Sequence, residues 1–321
     1  MSPAKFKLSL LLTLQGKTFL VTGGNTGIGY ATTLILAAKG ARVYISARSL
    51  TTANLAISKI LALHPEGDLH TLILDHTSLS SVVSAAQKFS SNGKKLHGLI
   101  VNAGILAVPY EIEKDDFESQ MQVKYLAHRL LTFHLLPTLL ATARGEGLGR
   151  VRVVCVSSEG HQKSSFGTTR ILYDEDEVKA FRDFGRYGLS KLANVMHAKS
   201  LHSQFGPGSE SARAGRGLIW TGSLHPGFID TGMNKSKEAQ GNSYSAFYER
   251  EKWRIAAPAW IPLISSGSQG VIKPRHITNR VDVLLASGHM PHCVRSELCK
   301  GLKAEESMYH SCDKCQFDEI C

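Results

Sequence analysis

In the stretch "RYGLSKLAN" (residues 186–194), a tyrosine and a lysine stand four positions apart as Tyr187 and Lys191. On a helix that spacing stacks them one turn apart on the same face. A free phenol ionises near pH 10 and exchanges protons poorly at neutrality. An ammonium about 5 Å away, at an effective dielectric near 20, favours the phenolate by roughly 3 kcal/mol, or about two pKa units. Such a pair suits proton donation to a forming alkoxide, and the same ammonium can hold a sugar hydroxyl. Two serines, Ser157 and Ser158, end the apolar stretch "RVRVVCVSS" at 150–158, where a hydroxyl can donate a hydrogen bond to a substrate oxygen. Tyr and Lys also meet at this spacing by accident on surface helices, so the rest of the chain must decide.

A second cluster lies near the start. In "VTGGNTGIGYA" the glycines Gly23, Gly27 and Gly29 are spaced G-x-x-x-G-x-G, with Ile28 between the last two. Glycines here permit a tight turn and let a dinucleotide pyrophosphate approach the backbone at a helix N-terminus. The triplet follows an apolar strand and precedes an amphipathic helix, which is the context such a site needs. A dinucleotide fold that prefers NAD carries an acidic residue after its second strand. This chain has Ala47 and then Arg48. A guanidinium there suits a 2′-phosphate, hence NADP(H), through charge-assisted hydrogen bonds; a solvated surface arginine is the plainer alternative.

The elements that must position these groups read as alternating strands and helices. Strands are expected at 17–22, 41–46, 70–75, 96–102, 150–158 and 217–225, each nearly continuous in apolar character, as strands covered on both faces are. Helix-period segments lie between them, the longest over 115–143 and 187–205. Strand, helix, strand over the first 225 residues predicts a single α/β domain, a doubly wound parallel sheet with helices on both faces. It is expected to span residues 1–290, with a helical substrate flap near 232–265 and a divergent, poorly ordered cysteine-rich tail at 291–321.

Composition narrows the partners. The 321 residues are 43% hydrophobic and 20% charged, with a formal net charge of +10. The basic residues are scattered and form no stripe interleaved with aromatics, so nucleic acid is not an expected partner. A phosphorylated cofactor accounts for the charge. Of six cysteines, Cys155 sits in an apolar run and the other five follow residue 290. The body therefore lacks a disulfide framework, which suits a reducing compartment such as the cytoplasm. The opening "MSPAKFKLSLLLTLQGK" is a poor signal peptide, and no stretch is long enough to span a bilayer.

"TGGNTGIG", Asp75, "NAG" (Asn102, Ala103, Gly104), "VSS" at 156–158, "YGLSK" at 187–191 and "HPGFIDT" at 225–231 occur in this order. Together they closely resemble the short-chain dehydrogenase/reductase family, in the manner of the retinol-dehydrogenase-like members found in fungal secondary metabolism. The resemblance covers about residues 14 to 235. It implies a sheet of about seven strands, bound NAD(P), and interconversion of a ketone and an alcohol on a hydrophobic small molecule. It implies that Ser158, and not Ser157, is catalytic with Tyr187 and Lys191. It places Asp75 by the adenine, Asn102 in the cofactor groove, and Ile229 and Thr231 at the nicotinamide carboxamide. A homodimer is an open arrangement.

Two departures stand out. Where the family has asparagine in the long fourth helix, holding a water that links the active-site lysine to solvent, "QVKYLAH" has Lys124. A second ammonium near Lys191 would be costly, so its long side chain is expected to swing out to solvent. The other departure is the tail, where "CDKC" at 312–315 is half of a zinc pattern without a second C-x-x-C; no metal site is expected. His161 is read either as lining the substrate entrance or as a surface loop residue, and His225 as a structural part of its turn. The alternative function is a non-catalytic NADP-binding regulator or scaffold. Retention of Ser158 beside Tyr187 and Lys191 argues against it, since a pure binder has no use for the serine.

Overall fold

The computed structural model describes residues 12–227 and 229, apart from 92, 94, 148 and 164–174. Nearly all of these belong to one compact unit, within Met1–Ser165 and Lys179–Ser268. The expected flap, the tail with its five cysteines, the boundary at residue 290 and Thr231 lie outside the described residues.

Six parallel strands form one sheet in the order β3-β2-β1-β4-β5-β6. They are β1 (Thr18–Thr22), β2 (Arg42–Ala47), β3 (Asp68–Ile73), β4 (Gly98–Val101), β5 (Val151–Val156) and β6 (Ile219–Leu224). This is the expected doubly wound α/β architecture. The expected seventh strand is not among the described residues. The central strands are buried along their whole length, every residue of "TFLVT" in β1 included, because helices cover both faces.

The helices form where caps and periodicity meet. α1 (Gly27–Ala38) and α2 (Leu50–Leu61) follow β1 and β2, and α3 (Leu79–Ser90) follows β3. The Ser49 and Ser78 hydroxyls accept the Thr52 and Ser81 amides, each at 3.3 Å, capping α2 and α3. After β4 a short helical start α4 (Ser119–Met121) passes through a π-helical turn at Gln122–Leu126 into α5 (Ala127–Glu146). A short helix α6 spans Glu175–Ala180, α7 spans Asp183–Phe205 and α8 spans Glu210–Arg213. One face of the sheet packs on α3, α5 and α7 through Phe89, Leu99, Leu131, Leu135 and Cys155. The Cys155 thiol is fully buried, and burial pushes it up to about 12. It is an inert core residue, as its apolar run suggested.

At the opposite end of the sheet from the glycine loop, the Glu146 carboxylate meets Lys17, Lys95 at 2.6 Å and the buried His97 at 3.6 Å. The two lysines hold Glu146 down to about 2. A carboxylate lowered on folding contributes stability that is complete above its unfolded value of about 4.5 and is lost as pH falls toward 2. We expect Glu146→Gln to lower unfolding stability by on the order of 1 kcal/mol near neutral pH and by almost nothing near pH 2. Urea titrations at the two pH values check this; an equal loss at both would remove the charge explanation.

Candidate active site

The strand order reverses between β1 and β4, and in open α/β sheets ligands bind beyond the strand C-termini at such a point. Here the loops after β1, β2, β3, β4 and β5 surround a cleft of about 990 Å³. Gly23, Gly27, Ile28, Arg48, Asp75, Asn102, Ser158, Tyr187, Lys191 and Ile229 all line it. The sequence thus named residues from seven segments that folding brings to one wall.

The glycine loop is built tightly. Gly27 takes a left-handed φ of 51° at the start of α1. A Cβ on Gly29 would stand 2.1 Å from the Gly23 carbonyl oxygen and 2.7 Å from Asn102 Nδ2, so no side chain fits there. Gly29 therefore lies behind the cleft wall and lets the helix N-terminus press against the loop, which leaves backbone as the surface a ligand meets.

Asn102 does structural work as well as lining the cleft. Its side-chain amide donates to the Thr22 carbonyl and its backbone N–H to Thr22 Oγ1, both at 2.8 Å. Asp75 Oδ1 accepts the Thr77 amide at 3.0 Å and hydroxyl at 2.9 Å, fixing the turn after β3. Arg48 is exposed at the cleft edge and makes no ion pair with a carboxylate among the described residues.

The two serines at the end of β5 are separated by their contacts. Ser157 is buried and donates to the Lys191 carbonyl at 2.8 Å, which pins α7 to the sheet. Ser158 is half-exposed and its Oγ accepts the Gly160 amide at 3.2 Å, leaving its own proton to donate. A Cβ on Gly160 would come within 3.5 Å of both Ser158 Oγ and Tyr187 Cε1, so this glycine sits between the two hydroxyl-bearing residues. Tyr187 stacks on Phe184 with ring centroids 5.5 Å apart. Lys191 Nζ lies 5.8 Å from the Tyr187 ring centroid and donates to the Val156 carbonyl at 2.8 Å. Burial lowers the Lys191 amine to about 8, so it is still mainly an ammonium at neutral pH.

The expected exit of Lys124 to solvent is overturned. Lys124 has no exposed surface. The π-helical turn carries it inward, its stem packs where a Cβ on Gly104 would meet Lys124 Cγ at 3.2 Å, and its amine donates to Gln120 Oε1 at 2.7 Å. The cost of burying the charge falls on the charge itself: burial first, then Lys191, drives the amine well below its ordinary range.

Some residues of the site carry no motif that sequence reading could single out. His128 Nδ1 faces the Lys124 carbonyl at 3.1 Å and therefore donates, which leaves His128 Nε2 as an acceptor with Thr22 Oγ1 at 2.8 Å and His76 Nε2 at 3.1 Å in reach of it. Burial keeps both imidazoles neutral, His76 at about 3 with the Arg48 charge adding to it, and His128 well below its usual range. The Thr22 hydroxyl also accepts the Asn102 and Ala103 amides, so this chain fixes the loop after β4. Gln120, fully buried, binds the Ala107 amide at 3.1 Å and the Asp183 carbonyl at 2.8 Å, tying that loop to the start of α7. His225 lines the cleft with Glu159 at 3.8 Å. His161 instead leans on the Ser158 carbonyl and is not part of the lining. Among the described residues no helix is long and apolar enough to cross a membrane.

A family model described as short chain dehydrogenase matches residues 17–170. The chain is 47% identical over 228 residues to the short-chain dehydrogenase/reductase drtF of Aspergillus calidoustus, covering 70% of this chain and 71% of that one. It is 32% identical over 305 residues to retinol dehydrogenase 12 of Mus musculus, covering 94% and 86% respectively. Among solved structures, a Pseudomonas aeruginosa RhlG/NADP active-site complex has the same fold, with a TM-score of 0.58 at 22% identity over 79% of this chain and 91% of that chain.

Proposed function

We infer that this chain, which belongs to the short-chain dehydrogenase/reductase family of oxidoreductases, interconverts a ketone and an alcohol on a hydrophobic small molecule with NADP(H). The observation that carries this is the meeting of Ser158, Tyr187 and Lys191 on the same cleft as the glycine loop. The cofactor fits what the cleft offers. Gly23, Gly27 and Ile28 would hold the pyrophosphate on backbone N–H groups, with Gly29 letting the helix N-terminus close up behind them, Asp75 at the adenine and Asn102 along the groove. Lys191 would hold the nicotinamide ribose, and Ile229 and Thr231 the carboxamide. The bound nicotinamide would supply or take the hydride.

The chain's own groups would handle the proton. Tyr187 would donate its phenolic proton to the forming alkoxide, Lys191 would stabilise the phenolate left behind, and Ser158 would donate a hydrogen bond to the substrate oxygen. The substrate end carries Leu106, Val108 and Val123, apolar side chains that favour a hydrophobic ketone. A cytoplasmic setting and a step in secondary metabolism extend the same proposal. The compound that accumulates when the gene is deleted tests them.

Arg48 makes the cofactor choice testable. Its guanidinium at the cleft edge, with Ala47 where an acid would disfavour phosphate, would pair with a 2′-phosphate. We expect NADPH to bind more tightly than NADH, and Arg48→Ala to weaken NADPH by roughly 10- to 100-fold with little change for NADH. Fluorescence titration of both cofactors measures this, and equal wild-type affinities would remove Arg48 from the site. Tight NADPH binding with no reduction across a panel of hydrophobic ketones would favour the regulator or scaffold reading.

A further inference from the structure

Tyr187 has a second amine against it. Lys124 Nζ lies 4.1 Å from the centre of the Tyr187 ring, closer than Lys191 at 5.8 Å. The two lysines are held differently. Lys191 Nζ is committed to the Val156 carbonyl. Lys124 Nζ has a neutral acceptor, Gln120 Oε1, and no carboxylate within ion-pair range among the described residues.

The charged and titratable groups facing Lys124 come from two directions. From α7 come Tyr187, Lys191 and Arg186, and from the segment before α4 comes Glu118. Glu118 alone favours an ammonium, and it is already engaged by Arg186 Nε at 3.2 Å and by the Met121 amide at 2.8 Å. On its own helix Lys124 meets only neutral groups, Gln120 and His128. Burial and the neighbouring Lys191 charge both weaken the hold of Lys124 on its proton. For a buried amine that holds its proton weakly and lies 4.1 Å from the centre of the Tyr187 ring, the nearby event that would strengthen that hold is the appearance of a phenolate.

We propose that Lys124 and Tyr187 share a proton, the amine becoming an ammonium when the phenol becomes a phenolate and releasing that proton when the phenol re-forms. Lys124 then acts through Tyr187 and not on the substrate, and the inference rests on the proposed role of Tyr187. The balance is simple. In ketone reduction the phenolic O–H bond breaks and its proton forms the O–H bond of the alcohol. The pair is then one proton short; a proton taken up from solvent makes the Lys124 amine an ammonium beside the phenolate, and its passage to the phenolate re-forms the phenol and the neutral amine. In alcohol oxidation the phenolate takes the alcohol proton and the pair later releases one to solvent. Lys191 stays the fixed cation throughout.

Linkage supplies a test that needs no substrate, so it separates this inference from the reading of the enzyme's activity. Phenolate absorbance of Tyr187, obtained as the difference between wild type and Tyr187→Phe, is titrated in the presence and absence of Lys124→Met. We expect the phenolate to appear about one pH unit or more higher when Lys124 is replaced. Should Lys124→Met fail to fold, the complementary measurement is nitrogen NMR of the Lys124 amine. Tyr187→Phe should then lower the pH at which Lys124 loses its proton by a similar shift, because coupling between two sites is reciprocal. Unmoved titrations in either experiment would overturn the proposal. A phenolate that forms at lower pH in Lys124→Met would do so too.

Discussion

Tyr187→Phe is expected to lower turnover by about a thousandfold or more while leaving NADPH affinity within about twofold. The substitution removes one oxygen and its proton and leaves the ring. What the ring does in the fold is therefore kept: it stacks on Phe184 at 5.5 Å and lies under the Lys124 amine at 4.1 Å. The cofactor wall is otherwise made of backbone at the glycine loop and of Asn102, Asp75 and Lys191, none of which needs the phenol. Without it a forming alkoxide would face the Ser158 hydroxyl, which can donate a hydrogen bond but is a far poorer proton source. Single-turnover reduction of a hydrophobic ketone, with NADPH titration on the same preparation, separates the two effects. Undiminished activity in the Phe variant would sink the assignment of Tyr187 as the proton donor. A parallel loss of cofactor affinity would mean that the residue holds the cofactor instead.

The sequence was most readable where the physics is local or repetitive. Strands covered on both faces must be apolar along their length, so β1, β2, β4 and β5 could be placed within a residue or two. The β3 register was less sharp. Its residues are mostly half-buried at the sheet edge, and the apolar run "LILD" drew the expected strand toward its exit loop. Site residues were legible where backbone geometry restricts the residue type, as at Gly29, or where spacing on one helix carries the chemistry, as for Tyr187 and Lys191. Contacts between distant segments were not. Lys124 was misread because a lysine's preference for water is a sound rule only when water is within reach. The π-helical turn, the open space beside Gly104 and the Gln120 acceptor together close that route, and none of the three is visible from residue types. The Thr22–His128–His76 chain escaped for the same reason, since its members are 106 and 52 positions apart.

Lys191→Met separates function from stability more sharply than any other single change in the cleft. The lysine is buried, and burial lowers it from 10.5 to about 8. Below pH 8 the amine is charged in both folded and unfolded chains, so the fold carries the full penalty, on the order of 3 kcal/mol. Between about 8 and 10.5 the unfolded chain holds the proton and the folded one does not, so wild-type stability rises with pH through that window. Methionine has similar length and no charge, and the Val156 carbonyl keeps the Asn194 amide as a partner at 3.4 Å. The variant should therefore be more stable than wild type at pH 7, by up to about 3 kcal/mol, with the gain disappearing above about pH 10.5. Its turnover should fall by roughly a hundredfold through the lost effect on Tyr187 alone, and further if cofactor affinity drops with the ribose contact. Denaturant unfolding at pH 7 and pH 10.5, beside cofactor titration and single-turnover rates, tests each part. A variant less stable than wild type at pH 7 would show that the ammonium is repaid inside the cleft by interactions beyond the Val156 carbonyl. The cost of holding a cation at this position would then not be a sacrifice of stability for chemistry.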